Sequence, residues 1–108
     1  MDRSDVINLI SSQWTKDANG VNRKVETSRQ VYCNVRSVTQ TEFYQASQLG
    51  FKPEYRFIMF KYDYLNEMII EYKGVRYSVY RTYFAENDLI ELTAQKAAGI
   101  NGQSDISG

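Results

Sequence analysis

Histidine is absent from the 108 residues. That removes the side chain that most often serves as a general base near neutral pH, as a nucleophile's partner and as a metal ligand. Cysteine occurs once, at Cys33, so neither an internal disulfide nor a multi-cysteine zinc site can form within the chain. A lone cysteine fits a reducing compartment better than an oxidising one. No excess of either charge exists, because 13 basic residues balance 13 acidic ones. A free-standing nucleic-acid binder usually carries a basic excess, so neutrality argues against that class while leaving room for a local basic patch. Apolar runs are short, "MII" at 68–70 being typical, and none approaches the length of a membrane span. The opening "MDRSDVINLISSQW" has neither a basic nor an apolar signal region, and no secretory signal is expected from it.

Catalytic motifs are missing as well. There is no phosphate-binding glycine loop, no G-x-S-x-G elbow and no metal-ligand cluster. Asp63, Glu67 and Glu71 lie close in sequence, but nothing in their spacing opposes their environments as a catalytic pair requires. They read as solvated charges on loop and strand faces. The chain is therefore expected to be a non-enzyme that needs no cofactor and no metal.

What is present is a mainly β pattern interrupted by one helix. With a single proline and 43% hydrophobic residues, the composition fits one compact domain. Residues 5–14, "DVINLISSQW", read as a first strand. Residues 15–28, "TKDANGVNRKVETS", are polar around Asn19-Gly20 and read as a long hairpin loop or tip. "RQVYCNVRSV" at 29–38 alternates with Val31, Cys33 and Val35 inward, which makes Cys33 a small packed hydrophobe. Thr39 and Glu42 then have capping-box spacing, Gly50 is placed to end a helix, and Pro53 blocks its continuation, so a helix is predicted over 40–49. Its semi-apolar face can lie on a sheet. "EYRFIMFKY" from 54, "MIIEY", "VRYSVYRTYF" and "LIELTAQK" read as further strands, with Lys73-Gly74 turning a hairpin. Val75, Tyr77 and Val79 share one face of that hairpin, and Ile90, Leu92 and Ala94 are in phase in the last strand. The sum is a small antiparallel β-barrel or rolled sheet of about six strands with one inserted short helix, over 1–96. The glycine-rich 97–108 is expected to be a flexible tail.

Two sets of residues stand out as candidate contact groups. Nine tyrosines are present, seven of them between 55 and 83. Cross-strand packing explains most of them, while Tyr64, Tyr80 and Tyr83 are the ones expected to face a partner, by phase or loop position. Lys16, Arg23, Lys24 and Arg29 cluster in and beside the polar loop. They read either as ordinary solvated charges or as a basic loop that meets a phosphate backbone.

The segments "RSVTQTEFYQASQLGFKPEYRF", "YKGVRYSVYRTYF" and "LIELTA", after an opening "DVINLI", resemble the head closure, or head–tail joining, proteins of tailed bacteriophages and prophages. The signals are E-F-Y-x-A at 42–46, G-x-K-P-E at 50–54, Y-x-G-x-x-Y at 72–77 and a strand ending near "ELTA". They cover about residues 5–96 and are structural rather than catalytic. The resemblance implies a β-barrel-like domain with a helix, assembled as a ring, commonly dodecameric, beneath the portal and its adaptor. Such a ring retains packaged DNA and offers the docking site for the tail. It implies as partners other copies of the chain, portal and adaptor proteins, a tail-terminator or tail-completion protein and DNA in the channel, with no membrane. It implies location in the virion after assembly in the host cytoplasm, and a free chain that can be monomeric. Within that frame Phe43, Tyr44, Phe51 and Lys52 would be contact residues of a helix that packs between neighbours or faces the channel. A helix that merely caps the barrel's open end is the plain alternative. A tail-terminator or tail-completion protein, and a small barrel that binds nucleic acid, are the rival readings of the whole chain.

Overall fold

The computed structural model describes residues 5–97. Six strands close into an antiparallel barrel: β1 (Asp5–Lys16), β2 (Asn22–Ser37), β3 (Pro53–Phe60), β4 (Ile69–Tyr72), β5 (Val75–Phe84) and β6 (Leu89–Lys96). Around the wall the order is β1-β2-β3-β6-β5-β4, with β4 returning to β1. The helix α1 (Gln40–Gln48) bridges β2 and β3, and a single 3-10 turn, Lys61–Asp63, follows β3. The expected fold class is the observed one.

Alternation builds the core. Ile7 and Leu9 on β1, Phe57 and Met59 on β3, Ile70 on β4 and Leu92 on β6 all face inward and lose nearly all contact with solvent. Cys33 sits among them, and burial pushes its thiol up to about 12, with Asp5 adding to the effect. It is a packed hydrophobe with no thiolate at neutral pH. Two register shifts bend the wall: one between Pro53 and Tyr55 against β6, the other between Val79 and Arg81. The second inserts Tyr80 as an extra residue and reverses the facing of the strand beyond it, as β-bulges do.

One sequence expectation is corrected here. The polar stretch 15–28 is not a loop. β1 and β2 stay paired from Asp5↔Cys33 out to Lys16↔Asn22, leaving only Asp17–Val21 to turn the chain. The barrel itself holds β1 to β4 only over Asn8–Ile10, and β2 to β3 only over Asn34–Ser37. The rest is a two-stranded ribbon that leaves the barrel. Strand 54–62 likewise ends earlier, at Phe60, where the 3-10 turn begins. Of the predicted tail only Ala97 is described; its N–H donates to the Arg76 carbonyl at 3.0 Å. Residues 98–108 lie outside the described residues.

α1 forms as its cap predicts. The Thr39 hydroxyl accepts the Glu42 N–H at 3.1 Å, and the Glu42 carboxylate accepts the Thr39 N–H at 3.0 Å. That backbone bond, with the Thr39 hydroxyl and two arginines assisting, holds the Glu42 carboxyl below its usual range despite some burial. At the other end Gly50, with φ +88°, takes the left-handed conformation, and Phe51 donates back to the Ala46 carbonyl at 3.0 Å. No side chain of the helix is buried. Tertiary packing therefore contributes little to it, and the caps weigh more than usual. Thr39→Ala is expected to cost about 1 kcal/mol, mostly locally. Amide exchange over 41–46 should speed up several-fold while the unfolding midpoint of the barrel hardly moves.

Candidate functional site

Two features project from the barrel, and between them they carry most of the sequence-predicted contact residues. The first is the β1–β2 ribbon. Its turn is organised by Asp17, whose carboxylate accepts the Asn19 and Val21 N–H groups, each at 2.9 Å. Arg23 donates to the same carboxylate at 2.9 Å and, with Val21 next, keeps the Asp17 carboxyl below its ordinary range. Arg23 is thus committed to the ribbon's own turn. Lys16 and Lys24 have no ion-pair partner among the described residues, and both extend into solvent. Lys24 stands directly opposite Trp14, which is 72% exposed. Trp14 was not singled out by the sequence, although Thr15, Val25 and Thr27 flanking Asn19-Gly20 carried a usable hairpin signal.

Arg29, grouped with these basic residues by sequence, belongs elsewhere. It sits on the inward phase of β2, where its Nη2 donates to the Glu67 carboxylate and to the Asp63 carbonyl, both at 2.7 Å. The segment 61–68 folds under the barrel and closes that end. Tyr64, expected to face a partner, is buried there and donates its hydroxyl proton to the Glu67 carbonyl at 2.6 Å. Glu67, expected to be solvated, is only 7% exposed and also accepts the Leu65 N–H at 2.9 Å. Both expectations are corrected for one reason. Asn66 takes a left-handed turn, φ 68°, which points the loop inward, and Arg29 supplies the charge that lets a carboxylate stay there.

The second feature is α1 and the cleft beneath it. A space of about 390 Å³ opens between the helix and the outer wall of β5 and β6, lined by Val38, Ala46, Leu49, Phe51, Tyr80 and Arg81 among others. Phe51 stacks on Tyr80 with ring centroids 4.2 Å apart and planes 4° from parallel. Two predicted contact residues are therefore brought together, but Tyr80 is half covered by the stack. Burial, partly offset by Arg81, raises its phenol. Phe43, Tyr44 and Leu49 remain exposed on the helix, as does Tyr83 on β5. Lys52 points to solvent, and its backbone N–H donates to the Gln95 side chain at 2.8 Å.

Among the described residues no group of three or more cysteine, aspartate or glutamate side chains is placed to hold a metal ion. Among the same residues no helix is long and apolar enough to cross a membrane. The two projections offer exposed aromatic and aliphatic side chains, with Lys16 and Lys24 extending into solvent beside them. No family model matches the chain, and no curated protein matches it.

Proposed function

We propose that this chain is a head closure, or head–tail joining, protein of a tailed bacteriophage or prophage. It acts as one subunit of a ring below the portal and adaptor, helps to retain packaged DNA and offers the tail its docking surface. The observation that carries the reading is surface the monomer leaves unused. Trp14 on the ribbon, Tyr44 and Leu49 on α1, and Tyr83 and Phe84 on β5 are each more than half exposed. Aromatic groups of this kind are enriched where proteins meet. They lie on the two projections and on the barrel wall, so separate faces are available for the head-to-tail contact that closes into a ring. The order and spacing of the E-F-Y-x-A, G-x-K-P-E and Y-x-G-x-x-Y segments support the same family.

In this reading Phe43, Tyr44, Phe51 and Lys52 contribute to subunit or ring contacts, and Lys16 and Lys24 are the ribbon charges free to meet DNA. The test is electron microscopy of a lysate from the source phage with the gene stopped early. Separate full-length tails beside capsids emptied of DNA are expected. Capsids that keep their DNA and lack only tails would move the protein to the tail side, as a tail-terminator or tail-completion protein. Normal infectious virions would overturn the assembly reading. The Trp14–Lys24 pair favours one other function, a nucleic-acid-binding barrel. That alternative predicts tight binding by the isolated chain, falling steeply with salt.

A further inference from the structure

The ribbon is held at its base from both faces, and the two holds differ in kind. On the inner face Arg29 meets Glu67, whose side chain is 6% exposed. On the outer face the Glu26 carboxylate accepts from both terminal nitrogens of Arg76, each at 3.0 Å, in a bidentate fork. These side chains are 40% and 33% exposed. Arg76 also lies 3.9 Å from Glu71, which accepts from the Asn8 side chain at 3.4 Å.

Register makes the outer contact informative. Glu26 stands opposite Ser12, whereas Arg76 stands opposite Glu71, which stands opposite Asn8. In a straight sheet the two would therefore be offset by four residues along the strand, about 13 Å, and separated by the width of the intervening strands as well. A contact of 3.0 Å is reached only if the ribbon bends over the outer wall toward β5. Ile10 agrees with that bend. It lies between Asn8 and Ser12 on the outward phase, yet it is 5% exposed. Beyond Ile10 on β1 no third strand supports the ribbon among the described residues. A two-stranded ribbon alone is compliant and only marginally stable.

We propose that the Glu26–Arg76 fork is a latch that holds the ribbon folded toward β5, and that the ribbon pivots on the Arg29–Glu67 pair when the fork opens. Both partners of the outer pair reach solvent, so salt weakens it. In the inner pair Arg29 is 39% exposed but Glu67 is shielded, so salt acts on it less. A partner's carboxylate arriving at Arg76 competes with Glu26, so contact at the ribbon's base and extension of its tip become coupled. The latch does not depend on the head closure reading; any protein that engages this end of the barrel would meet it.

The test is a pulsed electron-spin distance measurement on the full chain, with labels at Ala18→Cys in the ribbon turn and Glu86→Cys in the β5–β6 turn. Buried Cys33 stays unlabelled. At low salt one narrow distance distribution is expected. Glu26→Gln and Arg76→Gln should each broaden and shift it, changing the folded-to-extended ratio by up to about fivefold, the range of an exposed pair. High salt should shift the distribution of the otherwise unsubstituted chain the same way and leave the Glu26→Gln chain unchanged. The same distribution in all three chains at both salt concentrations would overturn the latch. So would a salt response that persists in full after Glu26→Gln. An absent salt response in the chain with the pair intact overturns the latch by itself, even if a variant folds poorly.

Discussion

Phe57→Ala is expected to lower the unfolding free energy by about 3–5 kcal/mol. Phe57 sits in the middle of β3 with no exposed surface. Its ring meets Tyr55 at 5.9 Å, Tyr72 at 5.9 Å and Tyr77 at 6.1 Å between centroids, mostly edge-on or tilted. These neighbours come from β3, β4 and β5, so the ring is where three parts of the wall converge. Tyr55 also packs edge to face on Tyr72 and on Tyr77, at 5.5 and 5.4 Å. Such pairs contribute about 0.5–1.5 kcal/mol each beyond their buried area. Deleting Phe57 removes three ring contacts and leaves a void. The large rings around it cannot fill that void without giving up their remaining geometry. A domain of this size has only about 5–15 kcal/mol in total, so the variant should lose at least about a fifth of its stability and at the other extreme fail to fold. Urea unfolding followed by near-ultraviolet circular dichroism measures this. Phe84→Ala, at 67% exposed, serves as the comparison and should stay within about 0.5 kcal/mol. A Phe57→Ala loss under 1 kcal/mol would mean that the barrel collapses freely around the missing ring.

The parts of the fold that could be read in the sequence are those where one strand face is dry and the other wet. Tyr77 and Val79, and Ile90-Leu92-Ala94, alternate with wetter residues because β5 and β6 line the barrel. Val75, read in the same phase, is 39% exposed at the start of β5, and Lys73 and Gly74 both take positive φ in the turn before it. The helix was legible from Thr39, Glu42 and Gly50 because caps are local and need no tertiary partner. The ribbon was not, because both its faces meet water and no apolar alternation marks it. Its strands are held by backbone pairing and by polar side-chain contacts such as Ser11 with Thr27, which need no apolar face. Tyr64 and Glu67 were misplaced for a different reason. Whether a loop residue points in or out depends on one backbone turn at Asn66 and on Arg29, 38 positions earlier than Glu67. No local pattern encodes that distance. Tyr80 falls between the two cases: its outward phase was legible, but the bulge and the Phe51 ring that half covers it were not.

Arg29→Met is expected to destabilise the chain by about 1–3 kcal/mol at neutral pH, with most of the loss vanishing in acid. The size follows from geometry. Glu67 is buried, but the Arg29 side chain is 39% exposed, so the pair falls below the 3–5 kcal/mol of fully buried pairs. The pH dependence follows from Glu67. Burial alone would raise its carboxyl, but the Arg29 guanidinium and the N–H groups of Glu67 and Leu65 outweigh that and hold it below the usual range. A carboxyl depressed in the folded state adds stability that is present above its unfolded value, about 4.3, and lost as pH falls through the folded value. Without Arg29 the burial penalty dominates and the carboxyl rises. The variant then loses stability as pH climbs past about 4.3, above the range in which the parent has gained it. The two curves should therefore diverge as the parent's Glu67 ionises and run parallel near pH 7. What remains at pH 3 is the uncharged part of the change, including the lost bond to the Asp63 carbonyl. Adding Glu67→Gln to Arg29→Met should restore part of the neutral-pH loss, because the buried charge is gone. A deficit of equal size at pH 3 and pH 7 would show that Arg29 acts by packing and backbone contact alone, and that Glu67 is neutral beneath the barrel.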